Sequence, residues 1–480
     1  MIAPLQENNN YKMNNNNNNN NSSNVFQPPR KKQRMEMHEV ETDGSEYICK
    51  ANNVMRIKFL TNLNDLNNED ESDDEDDAGV VQSFVPEFTH QFFGDSETIV
   101  GFKNLKLRLF YTPSGANSFF QMSFDDRLLA IGADPEKDTP EAKLNAEYGL
   151  PPGYTKNKEI FRQQLTTELN GCSHVPPGVK VETFSNKFGT FEVYRSLPSE
   201  SKEEKDQHER LETLALYLID GASPVDLDDH RWRVYTTYQL LTSSSAGPNN
   251  DSTTTTNNYT RKFVAYMTAL EFTNPFRKER QKALRVCQIV TLPTNQRQGH
   301  GSKLLEQVTK DVESEDMFEL TFEDPSNVLT RMRQVNDIIA CKKKNFFTFA
   351  SSKNSSNNSD SDSMPLPLDW IINATYLNEV QKSLRITKKQ IIFSYEVMKY
   401  EAILIETGGN QSNEYMMKYQ KELKGKLEKL HKFDLDQIKN SEGVKDELQY
   451  KVALNLLYNN NIMYLQDIIS IVTNQLKKKS

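Results

Sequence analysis

The spacing of hydrophobic positions changes twice between Ala283 and Phe322. "ALRVCQIVTL" is dense in apolar and β-branched residues and reads as a strand. After Gly301 the apolar residues Leu304, Leu305, Val308 and Val312 recur on one face of a helix. "MFELTFED" then alternates Phe318, Leu320 and Phe322, a second strand. Strand, glycine turn, helix, strand is a βαβ unit. Upstream, "RWRVYTTYQLL" and "KFVAYMTALEF" are strand-like and flank the insertion "SSSAGPNNDSTTTTNN". They are expected to be antiparallel neighbours joined by an overgrown loop, since closure entropy rises only slowly with loop length. Downstream of "SSKNSSNNSDSDSMPLP" the pattern turns wholly helical. "YLNEVQKSLRITKKQIIFSYEVMKYEAIL" and "EYMMKYQKELKGKLEKLHKF" carry apolar residues three and four apart and no proline.

These patterns divide the chain of 480 residues into five parts. Residues 1–45 are an asparagine-rich tail without core-forming residues. Residues 46–205 are expected to form a mixed α/β domain with an acidic loop near 67–79. Residues 206–345 form a central α/β domain with a loop near 243–258, residues 346–369 a low-complexity linker, and 370–480 a helical domain. The fold class is mixed α/β.

The net charge of −9 is local: "NEDESDDEDDAG" holds eight carboxylates, and the remainder is close to neutral. Whole-chain charge therefore points to no nucleic-acid partner. The basic cluster "PPRKKQR" in the tail is expected to serve nuclear import. Cys49, Cys172, Cys287 and Cys341 form no CxxC pair, which argues against a zinc site and for a reducing compartment. The N-terminus lacks a signal-peptide core, and no apolar run reaches the roughly 18 residues that span a bilayer. A soluble intracellular protein is expected, with no metal and no membrane.

The chemistry concentrates at "QRQGHGSKLL" (Gln296–Leu305). Glycines between a buried strand and a helix N-terminus suit a phosphate, which binds exposed N–H groups and the helix dipole. A P-loop would need G-x-x-x-x-G-K-[ST], but Lys303 stands two residues past Gly301 without the upstream glycine. A dinucleotide loop would need a third glycine where Leu304 stands, although Glu323 lies near the place of its ribose-binding acid. A turn that merely connects strand to helix is the remaining structural alternative.

"Q-R-Q-G-H-G" matches the Q/R-x-x-G-x-G/A loop of the GNAT acetyltransferase superfamily. The blocks "THQFFGDSETIVGFKNLKLRLFY", "LIDGASPVDLDDHRW", "VCQIVTLPTNQRQGHGSKLLEQV", "LTFEDPSNVLTRMR" and "VQKSLRITKKQIIFSYEVMKYEAIL" together resemble type B histone acetyltransferase catalytic subunits. The resemblance runs from about Tyr47 into the C-terminal helices. It implies a central GNAT fold, acetyl-CoA as cosubstrate, and acetylation of lysines in the N-terminal tail of newly made, free histone four, with histone two-A a further substrate. It also implies a WD-repeat β-propeller histone chaperone as partner, and residence in nucleus and cytoplasm. Acetylation of another peptide or a small amine on the same fold is the alternative.

Carried onto this sequence, the resemblance assigns Glu323 as general base, with Asp324 beside it as secondary candidate. Asp220 stands where relatives carry a glutamate that assists proton removal, so its reach is one methylene shorter. The strand Ile289, Val290 and Thr291 would run beside the pantetheine arm. Gln296, Arg297, Gln298, Gly299, His300, Gly301 and Ser302 would hold the pyrophosphate, with Ser326 a further coenzyme contact. His300 reads as a spacer within the loop. Asp95 and Glu97 match an acidic substrate-contact block. Leu270, Glu271 and Phe272 match a substrate strand in which relatives have tyrosines. Trp232 is expected either to wall the peptide groove or to fill the core.

Overall fold

The computed structural model describes residues 44–66, 83–130, 132, 134–170, 175–242, 259–349, 372–440 and 447–479. The asparagine-rich tail with its basic cluster, the acidic run, both low-complexity insertions and Cys172 lie outside these residues.

The N-terminal part runs β1 (Ile48–Lys50), α1 (Ala51–Val54), β2 (Met55–Phe59), α2 (His90–Phe93), β3 (Thr98–Val100), β4 (Phe102–Lys103), β5 (Lys106–Tyr111), β6 (Ser118–Ser123), β7 (Asp126–Arg127), α3 (Pro140–Ala146) and α4 (Lys158–Leu169). Its main sheet has the order β2-β5-β6, with β2 parallel to β5 and β5 antiparallel to β6. Met55, Ile57 and Phe59 on β2 and Leu107, Leu109 and Tyr111 on β5 alternate at the strand period, and all six are buried.

The central part runs β8 (Val179–Asn186), β9 (Gly189–Ser196), α5 (Lys202–Leu218), β10 (Trp232–Thr242), β11 (Tyr259–Thr273), β12 (Lys282–Thr291), α6 (His300–Ser314) and β13 (Leu320–Phe322). One six-stranded sheet has the order β13-β12-β11-β10-β9-β8. Every neighbouring pair is antiparallel except β12 with β13, which α6 joins as a parallel crossover. The expected hairpin of β10 and β11 and the expected βαβ unit are both present.

The boundary expected at 205/206 is corrected. It falls inside α5, and β8 and β9 join the central sheet. Phe191 and Val193 of β9 are buried in the same cluster as Leu304, Leu305, Val308 and Val312 of α6. A hairpin's alternation reads alike whichever sheet it joins, so sequence pattern could not place it.

Two layers cover the sheet. α6 buries its aliphatic stripe on one face, each such side chain stabilising by about 1.5–3 kcal/mol. On the other face α5 brings Leu211, Leu214 and Ala215 into one cluster with the N-terminal sheet and with Tyr238, Phe263, Tyr266 and Val290. Strand β12 is therefore packed on both faces.

The remaining elements are helices: α7 (Asn327–Lys343), α8 (Ala374–Leu384), α9 (Lys388–Thr407), α10 (Glu414–Leu430), α11 (Lys432–Asn440) and α12 (Glu447–Lys479). Arg385 in the left-handed region ends α8, and a capping box of Thr387 with Gln390 starts α9. α7 lies within the expected central domain, 206–345, yet packs with the helices beyond it. Its Val335, Ile338 and Ile339 are buried with the C-terminal helices. Among the described residues no helix is long and apolar enough to cross a membrane, and no group of three or more metal-ligating side chains occurs.

Candidate active site

β12 is built differently along its two edges. Its ladder with β11 continues as far as Thr291, opposite Ala265. A register shift between Thr268 and Ala269 skips Cys287, making it the extra residue of a β-bulge. The parallel ladder with β13 ends where Val286 meets Phe322, and the Glu323 N–H donates to the Val286 carbonyl at 2.9 Å. Beyond that point the strands part. Ile289, Val290 and Thr291 keep one edge facing no strand of the described sheet, so an extended polar arm can hydrogen-bond to it. The Val290 side chain lies in the core at 1% exposure, so this position offers its backbone.

The open edge leads to the glycine turn. Arg297 has φ +60° and Gly299 φ +92°, both left-handed. Gly299 is the N-cap of α6 and supplies no side-chain cap, so the first N–H groups of the helix lack an intrahelical partner. The two glycines have different reasons. No atom lies within 4 Å of where a Cβ on Gly299 would sit, so its backbone conformation requires glycine there. A Cβ on Gly301 would lie 3.0 Å from Met332 Sδ and 3.3 Å from Ile289 Cδ1. Gly301 therefore serves close packing against α7 and β12.

Gln298 braces the turn by donating to the Thr294 carbonyl at 3.2 Å, and Asn186 donates to the Gln298 carbonyl at 3.2 Å. Gln296 reaches back toward the Thr291 carbonyl at 3.5 Å. The His300 ring packs edge-on to Phe191 at 4.6 Å, and burial pushes its pKa down to about 4. An uncharged, buried ring leaves His300 its main chain for a ligand, in keeping with a spacer. Ser302 sits half-buried in the first turn of α6. Lys303 is held by Glu182 at 2.8 Å and Glu306 at 3.1 Å.

Glu323 is exposed at the mouth where β12 and β13 part. The Cys287 thiol donates to the Arg285 carbonyl at 3.5 Å; burial first, then the neighbouring Glu323 carboxylate, push the thiol up to about 12. Cys287 therefore stays protonated and is no nucleophile. Asp324, also exposed, has φ +30° and turns the chain toward α7. The Ser326 hydroxyl caps that helix by accepting from the Leu329 N–H at 3.3 Å. Asp220 is exposed in the turn after α5, 3.5 Å from His90 Nε2. That turn touches β12 one residue beyond the bulge, where Gln288 donates to the Ser223 carbonyl at 2.8 Å.

Trp232 and Leu270 are cross-strand partners, and Leu270 also faces Arg285, whose guanidinium lies 4.3 Å from the Phe272 ring centroid. Trp232, Leu270 and Phe272 share the face opposite α6. Trp232 is half-buried and belongs to no core cluster, which leaves it available as a wall. Glu271 is corrected. Strand alternation turns it to the α6 face, where it pairs with Arg233 at 2.9 Å and Lys282 at 2.8 Å. Glu97 differs too: it accepts from the Thr89 N–H at 2.8 Å and from Asn52 at 3.2 Å. The Thr89 bond chiefly lowers its pKa, and the side chain serves to hold its own turn. Asp95 in that turn is exposed.

Residues 47–220 match the family described as histone acetyl transferase HAT1 N-terminus. The histone acetyltransferase type B catalytic subunit of Rattus norvegicus is 29% identical over 310 residues, covering 63% of this chain and 66% of its own length. The Homo sapiens protein of the same name is 28% identical with the same coverage. This chain is similar to the type B histone acetyltransferase catalytic subunits. It spans just under two thirds of the length of those mammalian relatives. An aminoglycoside acetyltransferase structure from an uncultured soil metagenomic sample aligns over 29% of this chain and 79% of its own at 14% identity, with a TM-score of 0.20, a likeness too slight to bear on fold or chemistry. The match to that N-terminal family ends at Asp220, three residues before Ser223 meets β12.

Three residues of this site escaped the sequence reading: Cys287, Gln288 and Glu212. Nothing in "RVCQIV" marks a bulge, so the contact of Cys287 with Glu323 was illegible. Glu212, beneath the site, left a trace as a buried carboxylate on the largely apolar face of "HERLETLALYL".

Proposed function

We propose that this chain is an acetyl-CoA-dependent histone lysine acetyltransferase of the type B kind, acting on the N-terminal tail of free histone four. The observation that carries the reading is the parting of β12 and β13. It leaves an unladdered strand edge running from the carboxylate of Glu323 to the uncapped N-terminus of α6. Acetyl-CoA fits those donors: the N–H groups from Gly299 to Ser302 suit its diphosphate, and the edge from Ile289 to Thr291 suits its amide-bearing arm. When bound it supplies an acyl group activated as a thioester.

The obstacle is the lysine proton. With a pKa of about 10.4, an amine at neutral pH must lose its proton at a cost of about 4.6 kcal/mol. Glu323 takes that proton, directly or through water, and the neutral amine attacks the acyl carbon. The C–S bond of the thioester breaks, the coenzyme leaving as a thiolate that takes up the remaining proton of the new amide nitrogen. Asp324 and Asp220 add negative potential that draws the cationic side chain in. Trp232, Leu270 and Phe272 wall the apolar part of the peptide groove, and Asp95 meets basic residues of the tail. A WD-repeat histone chaperone as partner, and passage between cytoplasm and nucleus, belong to the same proposal.

Incubating the protein with acetyl-CoA and free core histones, then mapping modified lysines by mass spectrometry, tests it. Acetylation of histone four tail lysines supports the reading. Unmodified histones, with transfer only to small amines, would replace it by a small-molecule acetyltransferase.

A further inference from the structure

Beneath the site lies a buried polar group that the transfer reaction does not use. Glu212 on α5 is 6% exposed and accepts from the Val225 N–H at 2.6 Å. Gln288 on β12, 7% exposed, is gripped at both ends: its Oε1 accepts from Tyr266 at 3.3 Å, and its Nε2 donates to the Ser223 carbonyl at 2.8 Å. Its own main-chain N–H donates to Thr268 Oγ1 at 3.0 Å. Ser223 and Val225 belong to one loop, and Asp220 sits at its start, with Gly221 at φ +67° between them. The Asp220 side chain is 74% exposed, and its ion pair with His90 is long at 3.5 Å. The position of that carboxylate is therefore set chiefly by the loop on which it rides.

An apolar side chain at 212 would avoid desolvating a carboxyl. What the carboxyl supplies in exchange is an acceptor for the Val225 N–H, which the neighbouring apolar residues of α5 cannot provide. His208, one turn earlier on α5, is 2% exposed, and both its ring nitrogens lack a hydrogen-bond partner. Its Nε2 lies 3.9 Å from Glu212, and its ring packs edge-on to Tyr266 at 5.0 Å. Burial pushes the Glu212 carboxyl up to about 7.

We infer that Glu212 and Gln288 are positioning residues that pin the 219–225 loop to α5 and β12, and so fix Asp220 relative to Glu323. The inference rests on the reading of Asp220 as an assisting carboxylate in acetyl transfer. A double-mutant cycle tests it, with steady-state kinetics on a histone four tail peptide and calorimetric affinity for acetyl-CoA. Glu212→Leu is expected to lower kcat about tenfold with unchanged acetyl-CoA affinity. Glu212→Gln keeps the acceptor and is expected to restore most of the rate. In an Asp220→Asn background the same Glu212→Leu change is expected to cost less than about twofold. Gln288→Leu, which cuts the other tether, is expected to show the same dependence on Asp220 and serves where Glu212→Leu does not fold. Equal losses in both backgrounds would overturn the inference, as would Glu212→Gln behaving like Glu212→Leu. A wild-type rate for Asp220→Asn would overturn it as well while leaving acetyl transfer intact; absence of transfer by the wild-type protein would instead remove the proposed function.

Discussion

From Leu284 to Val286, β12 is laddered on both edges, and Leu284 and Val286 are buried against α6. From Ile289 to Thr291 the same strand is laddered on one edge only, and its other edge leads to the glycine turn. Cys287 in the bulge marks the change. The first half anchors the strand by ordinary pairing and burial; the second half leaves one row of main-chain donors and acceptors without a strand partner among the described residues. Placing both on one strand ties the proposed coenzyme cradle to the core, a geometry that loops alone hold less well.

The largest expected effect separates the halves by chemistry. Glu323→Gln, at the junction, is expected to lower the acetylation rate about 10²–10⁴-fold while calorimetric affinity for acetyl-CoA stays within about twofold. A variant transferring at the wild-type rate would mean that another group removes the proton. The two glycines sharpen the comparison next. Gly301→Val places atoms against Met332 and Ile289 and is expected to cost about 1–3 kcal/mol of stability in chemical denaturation. Gly299→Ala meets no neighbour but strains a left-handed residue by about 1–2 kcal/mol, and is expected to act mainly on acetyl-CoA affinity.

The buried pair under the open half gives a pH signature. Glu212 faces His208 and Glu209 on its own helix and Tyr266 on β11. Its pKa is raised from 4.5 to about 7 by burial, so its contribution to stability is full below 4.5 and is lost as pH rises through about 7. His208 has the opposite sign: lowered from 6.5 to about 3, it erodes stability as pH falls below 6.5. Relative to the wild-type protein, Glu212→Gln is expected to gain on the order of 2 kcal/mol between pH 5 and pH 8 in urea denaturation. An unchanged difference would mean that Glu212 titrates normally. The smallest effect is expected at Glu271. Because that side chain faces α6, Glu271→Gln should leave KM for a histone peptide within about twofold; a large rise would return it to the peptide groove.

Much of this architecture was legible because periodicity reports burial. The α6 stripe, the β10–β11 hairpin and the strand before the glycine turn follow directly from apolar spacing. The spacing of Gln296, Gly299 and Gly301 pointed to a turn that opens α6 without a side-chain cap. Three features were not legible, each for a physical reason. The bulge at Cys287 is a relation between two strands, so β12 alone does not display it. That bulge keeps Leu284, Val286 and Ile289 on the α6 side while Gln288 and Val290 face α5. Glu271 was assigned to the wrong face because motif matching ignores strand alternation. The sheet's outer hairpin was assigned to the wrong domain because nothing in its residues names its partner.

The central claim concerns where a coenzyme lies, and a crystal structure of the protein with bound acetyl-CoA tests it most directly. The expected result is an arm hydrogen-bonded to the main chain of Ile289–Thr291, a diphosphate at the N–H groups of Gly299–Ser302, and the acyl carbon facing Glu323. Acetyl-CoA bound elsewhere, with that strand edge bare, would contradict the account.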